Sequence, residues 1–150
     1  KEATIALGIK PSNLILYDYE VRKLGYSRQN ILEDLIELKN KNSFDLVFIP
    51  STNDIHQDHS TIAQEGIRAF KNITILGYEL IWNNMNFNTA CFIKLDKKHI
   101  NNKIKELSKY KSQSHRPYMK KKFIESHAIT RGVQIGCNFA ESFEVIRMVV

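Results

Sequence analysis

Phe44 to Pro50, reading Phe-Asp-Leu-Val-Phe-Ile-Pro, is the segment that most narrows what this chain can fold into. It is a compact run of β-branched and aromatic residues, too short for a helix and closed by a proline. That composition predicts a strand buried on both faces. A helical pattern follows from Ser60 (Ser-Thr-Ile-Ala-Gln-Glu-Gly-Ile-Arg-Ala-Phe), and a second strand-like run spans Ile73 to Glu79. Strand, helix and strand in succession require a crossover, and crossovers join parallel strands.

The rest of the chain continues the alternation. Asn13 to Tyr19 reads as a short apolar strand after a turn at Lys10-Pro11-Ser12. Ser27 is placed to cap a helix in which Ile31, Leu32, Leu35, Ile36 and Leu38 recur at helical spacing. Thr89 to Leu95 reads as a strand, and the segment from Lys97 to Gln113 as an amphipathic helix with Ile100, Ile104 and Leu107 inward. Pro117 to Gly132 predicts a further helix, opened by its proline and ended by its glycine, and Ser142 to Val150 a last strand. The opening Lys1 to Gly8 has the pattern of a helix tail with Gly8 past its end. The expectation is an α/β fold: one Rossmann-like domain over 1–150, its sheet mostly parallel with helices on both faces.

Composition bounds the remaining choices. With 150 residues, 43% of them hydrophobic, the chain has enough apolar material for one core. No run is apolar for long enough to span a bilayer. Cys91 and Cys137 sit apart inside apolar segments, which predicts buried, reduced thiols, a cytoplasmic location and no cysteine-based zinc module. The net charge of +6 is concentrated: Lys94 to Lys122 holds eleven Lys and Arg against Asp96 and Glu106, an excess of +9, and the remainder sums to −3. Only Tyr110 and Tyr118 are interleaved there, too few for a base-stacking platform, so the stretch reads as a solvated helix face rather than a nucleic-acid surface. It leaves a phosphate-bearing substrate open.

The residues that carry chemistry lie between the first two clear strands. Asn53 to Ala63 reads Asn-Asp-Ile-His-Gln-Asp-His-Ser-Thr-Ile-Ala. Open α/β sheets bind ligands at the carboxyl ends of their strands, and His56, Asp58 and His59 fall on such a loop. A neutral imidazole is a good zinc ligand, and a neighbouring carboxylate can orient it. Two solvated histidines in a polar loop satisfy the same spacing. His99, His115 and His127 lie in or beside the basic helices and rank below this pair.

Phe44 to Phe70 as a whole resembles the second signature of the LmbE/PIG-L-like family of zinc-dependent de-N-acetylases, in which a strand leads through Asp-Ile-His to His-x-Asp-His and a helix. Glu2 to Ile9 before an extended Leu14 to Glu20, then Ser112-Gln113, Arg131-Gly132 and Phe139 to Arg147, resemble further family features in the same order. The resemblance implies Zn2+ as cofactor with His59 as a ligand. It implies His56 as the group that steadies the tetrahedral intermediate and protonates the departing amine, and Asp58 as the residue that holds a catalytic histidine in place. It also implies amide hydrolysis of an N-acetylated sugar conjugate with release of acetate, and often a homo-oligomer. The family's first signature, Ala-His-Pro-Asp-Asp-Glu, which supplies the general base and two more ligands, has no counterpart here. With Lys1 in first place, the expectation is a domain incomplete at its N-terminus. The alternative is a catalytically inactive sugar- or nucleotide-binding remnant.

Overall fold

The computed structural model describes residues 2–150, so Lys1 of the predicted helix tail lies outside them. Five helices, α1 (Glu2–Ala6), α2 (Arg28–Lys41), α3 (Gln57–Ala69), α4 (Lys97–Leu107) and α5 (Lys121–Gln134), accompany four strands, β1 (Leu46–Pro50), β2 (Thr74–Tyr78), β3 (Cys91–Lys94) and β4 (Ala140–Arg147). The strands form one sheet in the order β1-β2-β4-β3. The chain divides into two compact units, residues 18–91 with 142–150, and residues 1–17 with 92–141.

The first unit holds the strand, helix and strand read from 44–79. β1 and β2 pair in parallel, Leu46 with Thr74 through Pro50 with Tyr78. Their core is Leu32, Ile49, Ala63, Ala69, Phe70 and Ile75, with Leu35, Ile36 and Val47 packed around it. Phe44 meets Phe70 edge to face at 6.0 Å between centroids. Gly66 lets α3 lie close on β1, since a Cβ there would be 3.1 Å from Ile49 Cγ2. Glu65 is wholly buried on the same helix and is held by Arg28 and Arg68, each at 2.6 Å.

In the second unit Ile100 of α4 and Ile124 and Ala128 of α5 are buried. Asp96 and His99 form a reciprocal cap at the start of α4. Gly8 (φ +79°) ends the α1 tail in the left-handed conformation, as its sequence context predicts. Part of the basic excess is paired within the unit: Lys97 with Glu125 (2.7 Å), Lys98 with Asp96 (3.5 Å) and Lys103 with Glu141 (2.5 Å). Among the described residues no helix is long and apolar enough to cross a membrane.

Several expectations need correction. The sheet is mixed, not mostly parallel: β4 runs antiparallel to β2, Tyr78 opposite Phe143. β3 is antiparallel to β4 as well, because Ala90 N–H donates to the Phe143 carbonyl and Leu95 N–H to that of Phe139. Among the described strands only the β1–β2 pair is parallel, and the Rossmann-like description holds loosely. β1 is an edge strand, so Leu46 and Phe48 stay 41% and 45% exposed instead of being buried on both faces. Asn13 to Tyr19 forms no strand: Pro11–Asn13 is a 3-10 turn, and the residues after it carry no regular structure. Both cysteines are free but half-buried, Cys91 because it opens the other edge strand and Cys137 because it lies in the turn after α5. α5 runs two residues past Gly132, and the left-handed glycine after it is Gly136 (φ +69°). Gly132 is instead needed for close packing, since a Cβ there would stand 2.5 Å from the Cys137 carbonyl oxygen.

Candidate functional site

The site grows from the carboxyl end of β1. Ser51, wholly buried, follows the strand and donates its hydroxyl to Glu144 Oε2 at 2.9 Å. Thr52 N–H reaches the same oxygen at 2.9 Å and the Thr52 hydroxyl donates to Glu144 Oε1 at 2.5 Å, so a carboxylate of β4 grips the first two loop residues. Gly77 makes that grip possible: a Cβ there would lie 3.0 Å from Glu144 Oε2 and 3.1 Å from Ser51 Cα.

Asn53 N–H donates to Ser51 Oγ (3.2 Å) and Asp54 N–H to the Ser51 carbonyl (3.1 Å), curling the loop back on itself. This turn buries Asp54, whose side chain is 1% exposed. One carboxylate oxygen accepts from His56 N–H at 2.8 Å, and the other lies 2.8 Å from His59 Nδ1. α3 begins at Gln57, earlier than its apolar periodicity indicates, because His56 caps it: His56 Nδ1 accepts from Asp58 N–H at 3.2 Å. His56 and His59 stack, with centroids 4.5 Å apart and planes inclined by 25°.

These bonds fix the two rings in opposite senses. A nitrogen that accepts from a backbone N–H carries no proton, so neutral His56 holds its proton on Nε2. A nitrogen against a carboxylate carries one, so neutral His59 is protonated on Nδ1 and leaves the Nε2 lone pair open. Asn83 Nδ2 also lies 3.4 Å from His59 Nδ1, but the shorter, charged contact with Asp54 governs the tautomer. Asn83 belongs to a turn bound to the histidine loop through Ile55 N–H to the Asn83 carbonyl (3.2 Å). Asn84 Nδ2, beside it, is sealed from solvent with no partner among the described residues. Burial first, and the Asp54 carboxylate second, push the Tyr78 phenol above its usual pKa.

The three residues singled out in the sequence thus come together on one loop and one helix start, with different partners. The Asp58 carboxylate accepts from Arg22 N–H (2.6 Å) and Leu24 N–H (3.4 Å), pinning a turn in which Arg22 takes the left-handed φ of 68°. Asp58 holds His56 through its backbone N–H, whereas the carboxylate on His59 is that of Asp54. His99, His115 and His127 belong to the other unit: His99 accepts from Asp96 N–H, His115 is exposed, and His127 lies on Phe123 with centroids 5.7 Å apart. Asp54 and Glu144 were not candidates from sequence. Asp54 stands two residues before a candidate histidine, a position from which a side chain can reach the backbone two residues on. No local signal points to Glu144.

His59 has the chemistry of one metal-ligand position, an open imidazole nitrogen backed by a carboxylate. Among the described residues, however, no group of three His, Cys, Asp or Glu side chains is close enough to hold a metal ion. The residues present therefore fit one position of such a centre and not a complete set.

No protein-family model matches the chain, and no curated protein does. Solved structures share its fold, among them these two. One is an N,N'-diacetylchitobiose deacetylase from Pyrococcus horikoshii in complex with its inhibitor, with a TM-score of 0.75 and 21% identity over 97% of this chain. The other is a conserved protein from Thermus thermophilus, with a TM-score of 0.70 and 18% identity over 99% of this chain. The chain spans 60% of the length of the first and 71% of the second. At these identities the likeness establishes the fold.

Proposed function

We propose that this chain carries the histidine half of a metal-dependent hydrolase that removes the acetyl group from an N-acetylated sugar. The observation that carries the reading is the Asp54–His59 contact at the carboxyl end of β1, with His56 stacked beside it, in a fold shared with a diacetylchitobiose deacetylase. A bound Zn2+ in such an enzyme supplies a polarised carbonyl and an acidified water. The protein's own groups have separable tasks. Asp54 keeps the His59 proton on Nδ1 and its Nε2 free to ligate. His56, held at Nδ1 by Asp58 N–H, presents an Nε2 proton to the oxygen that gains charge, a contribution worth about 2.7–4 kcal/mol per donor in comparable sites. The proton that the attacking water loses ends on the departing amine nitrogen, which completes cleavage to amine and acetate while His56 keeps its own. Asp58 anchors the helix start on which both histidines depend.

The incomplete donor set favours a second reading, a sugar- or nucleotide-binding module of the same fold without a metal. One experiment separates the two. The whole protein is incubated with Zn2+ and then with N-acetylglucosamine or N,N'-diacetylchitobiose, and bound metal and released acetate are measured. Stoichiometric zinc, acetate release and loss of release in His56→Ala are expected. Sugar binding with neither zinc nor acetate points to the binding module, and undiminished release in His56→Ala refutes the role given to His56.

A further inference from the structure

The geometry points to Glu144 as a positioning residue for the His56–His59 pair, a role that rests on the hydrolase reading above. Its carboxylate takes three donors, Ser51 Oγ, Thr52 N–H and the Thr52 hydroxyl, from a loop 92 or more residues earlier in the chain. Those two residues begin the chain of bonds that ends on an imidazole. Asn53 N–H closes on Ser51 Oγ and Asp54 N–H on the Ser51 carbonyl, and the Asp54 carboxylate then holds His56 N–H and His59 Nδ1.

Three features separate this from an ordinary packing contact. Ser51 is wholly buried and Asp54 is 4% exposed, so water does not readily substitute for the bonds between them. Both Glu144 oxygens are occupied by donors of the loop, which fits a group that holds rather than one that exchanges protons. Residue 77 is glycine where any side chain would wedge between Glu144 and Ser51. A glutamine at 144 keeps the size but replaces one acceptor oxygen by an NH2, so at least one of the three donors loses its partner.

The test uses the 150-residue chain with 15N-labelled histidine, comparing wild type, Glu144→Gln, Thr52→Val and Thr74→Val. Long-range proton–nitrogen spectra at pH ~8.5, above the usual histidine range, read which ring nitrogen carries the proton. Wild type is expected to show His59 protonated on Nδ1 and His56 on Nε2. Glu144→Gln is expected to turn His59 into a mixture of tautomers, and Thr52→Val to do so to a smaller degree. Thr74→Val removes the hydrogen bonds between Thr74 and Val149, at the other end of β2, and is expected to lower the melting temperature without moving the ring signals. Unchanged His59 signals in Glu144→Gln, or an equal change in Thr74→Val, would overturn the assignment. If Glu144→Gln does not fold, Thr52→Val decides, because Thr52 is exposed and loses only its hydroxyl. On an N-acetylated sugar, Glu144→Gln should lower kcat about 10–100-fold with KM little changed. If the whole wild-type protein releases no acetate the hydrolase reading fails, while the ring spectra still decide the role of Glu144.

Discussion

Removing the Asp54 carboxylate should disturb three measurable quantities at once. The side chain is 1% exposed and accepts from His56 N–H and His59 Nδ1, both at 2.8 Å. A net hydrogen bond is worth about 0.5–1.5 kcal/mol, and about 1.5–3 with a charged partner. Asp54→Ala should therefore cost roughly 2–4 kcal/mol, or roughly 4–16 °C in Tm for a chain of this size. The His59 ring should lose its fixed tautomer. The Tyr78 phenol should titrate at a lower pH than in wild type while staying above the usual tyrosine value, because burial, the larger cause of its raised pKa, remains. Urea melts, ring nitrogen spectra and the Tyr78 ring signals followed against pH give the three readouts. A stability loss within about 0.5 kcal/mol, the range of an ordinary surface change, together with an unmoved Tyr78, would refute the placement of Asp54 at the centre of the site.

Other substitutions separate close packing from open space. Gly132→Ala places a Cβ 2.5 Å from the Cys137 carbonyl oxygen and 2.9 Å from Phe139 N, and a loss of about 1–3 kcal/mol is expected by denaturant melting. Gly25→Ala meets nothing nearer than Thr61 Oγ1 at 3.8 Å, and the same assay should show a gain of about 0.4–1 kcal/mol. Glu65→Ala removes the buried carboxylate that Arg28 and Arg68 share, and because both arginine side chains are about half exposed the cost is about 1–3 kcal/mol in thermal or urea unfolding. Asp58→Ala should speed amide exchange at Arg22 and Leu24, whose N–H groups it accepts, and destabilise the chain by about 1–3 kcal/mol. Wild-type stability should fall as pH rises past about 10, because the unfolded chain releases the Tyr78 proton before the folded one does.

The parts of the fold legible in the sequence are those that depend on near neighbours. β1, α3 and β2 appear within a few residues of where Phe44 to Glu79 places them, since hydrophobic periodicity and turn residues are local signals. Strand direction and sheet order are not local. Ser142 to Val150 has strand composition whichever way it runs, and only pairing shows β4 antiparallel beside β2. Leu14 to Tyr17 is as apolar as β3 yet finds no ladder, and Ile15, Leu16 and Tyr17 remain 49%, 65% and 47% exposed. The same limit applies at the site. His56, Asp58 and His59 are recognisable from their spacing, but which carboxylate meets which ring depends on a turn that buries Asp54 and aims Asp58 at Arg22. Glu144 reaches Ser51 across 93 positions, and no pattern within either segment records it.

The place of β4 sets an order of events during synthesis. It follows every other element in the sequence, yet it lies between β2 and β3 and carries the carboxylate that grips Ser51 and Thr52. β1, α3 and β2 can form their local contacts as soon as they emerge, whereas contacts of long sequence separation form late. The histidine loop therefore waits, with β2 missing a neighbour, until residues 140–147 have been made. A nascent chain halted before residue 144 contains both histidines and Asp54 but lacks the carboxylate that holds Ser51 and Thr52.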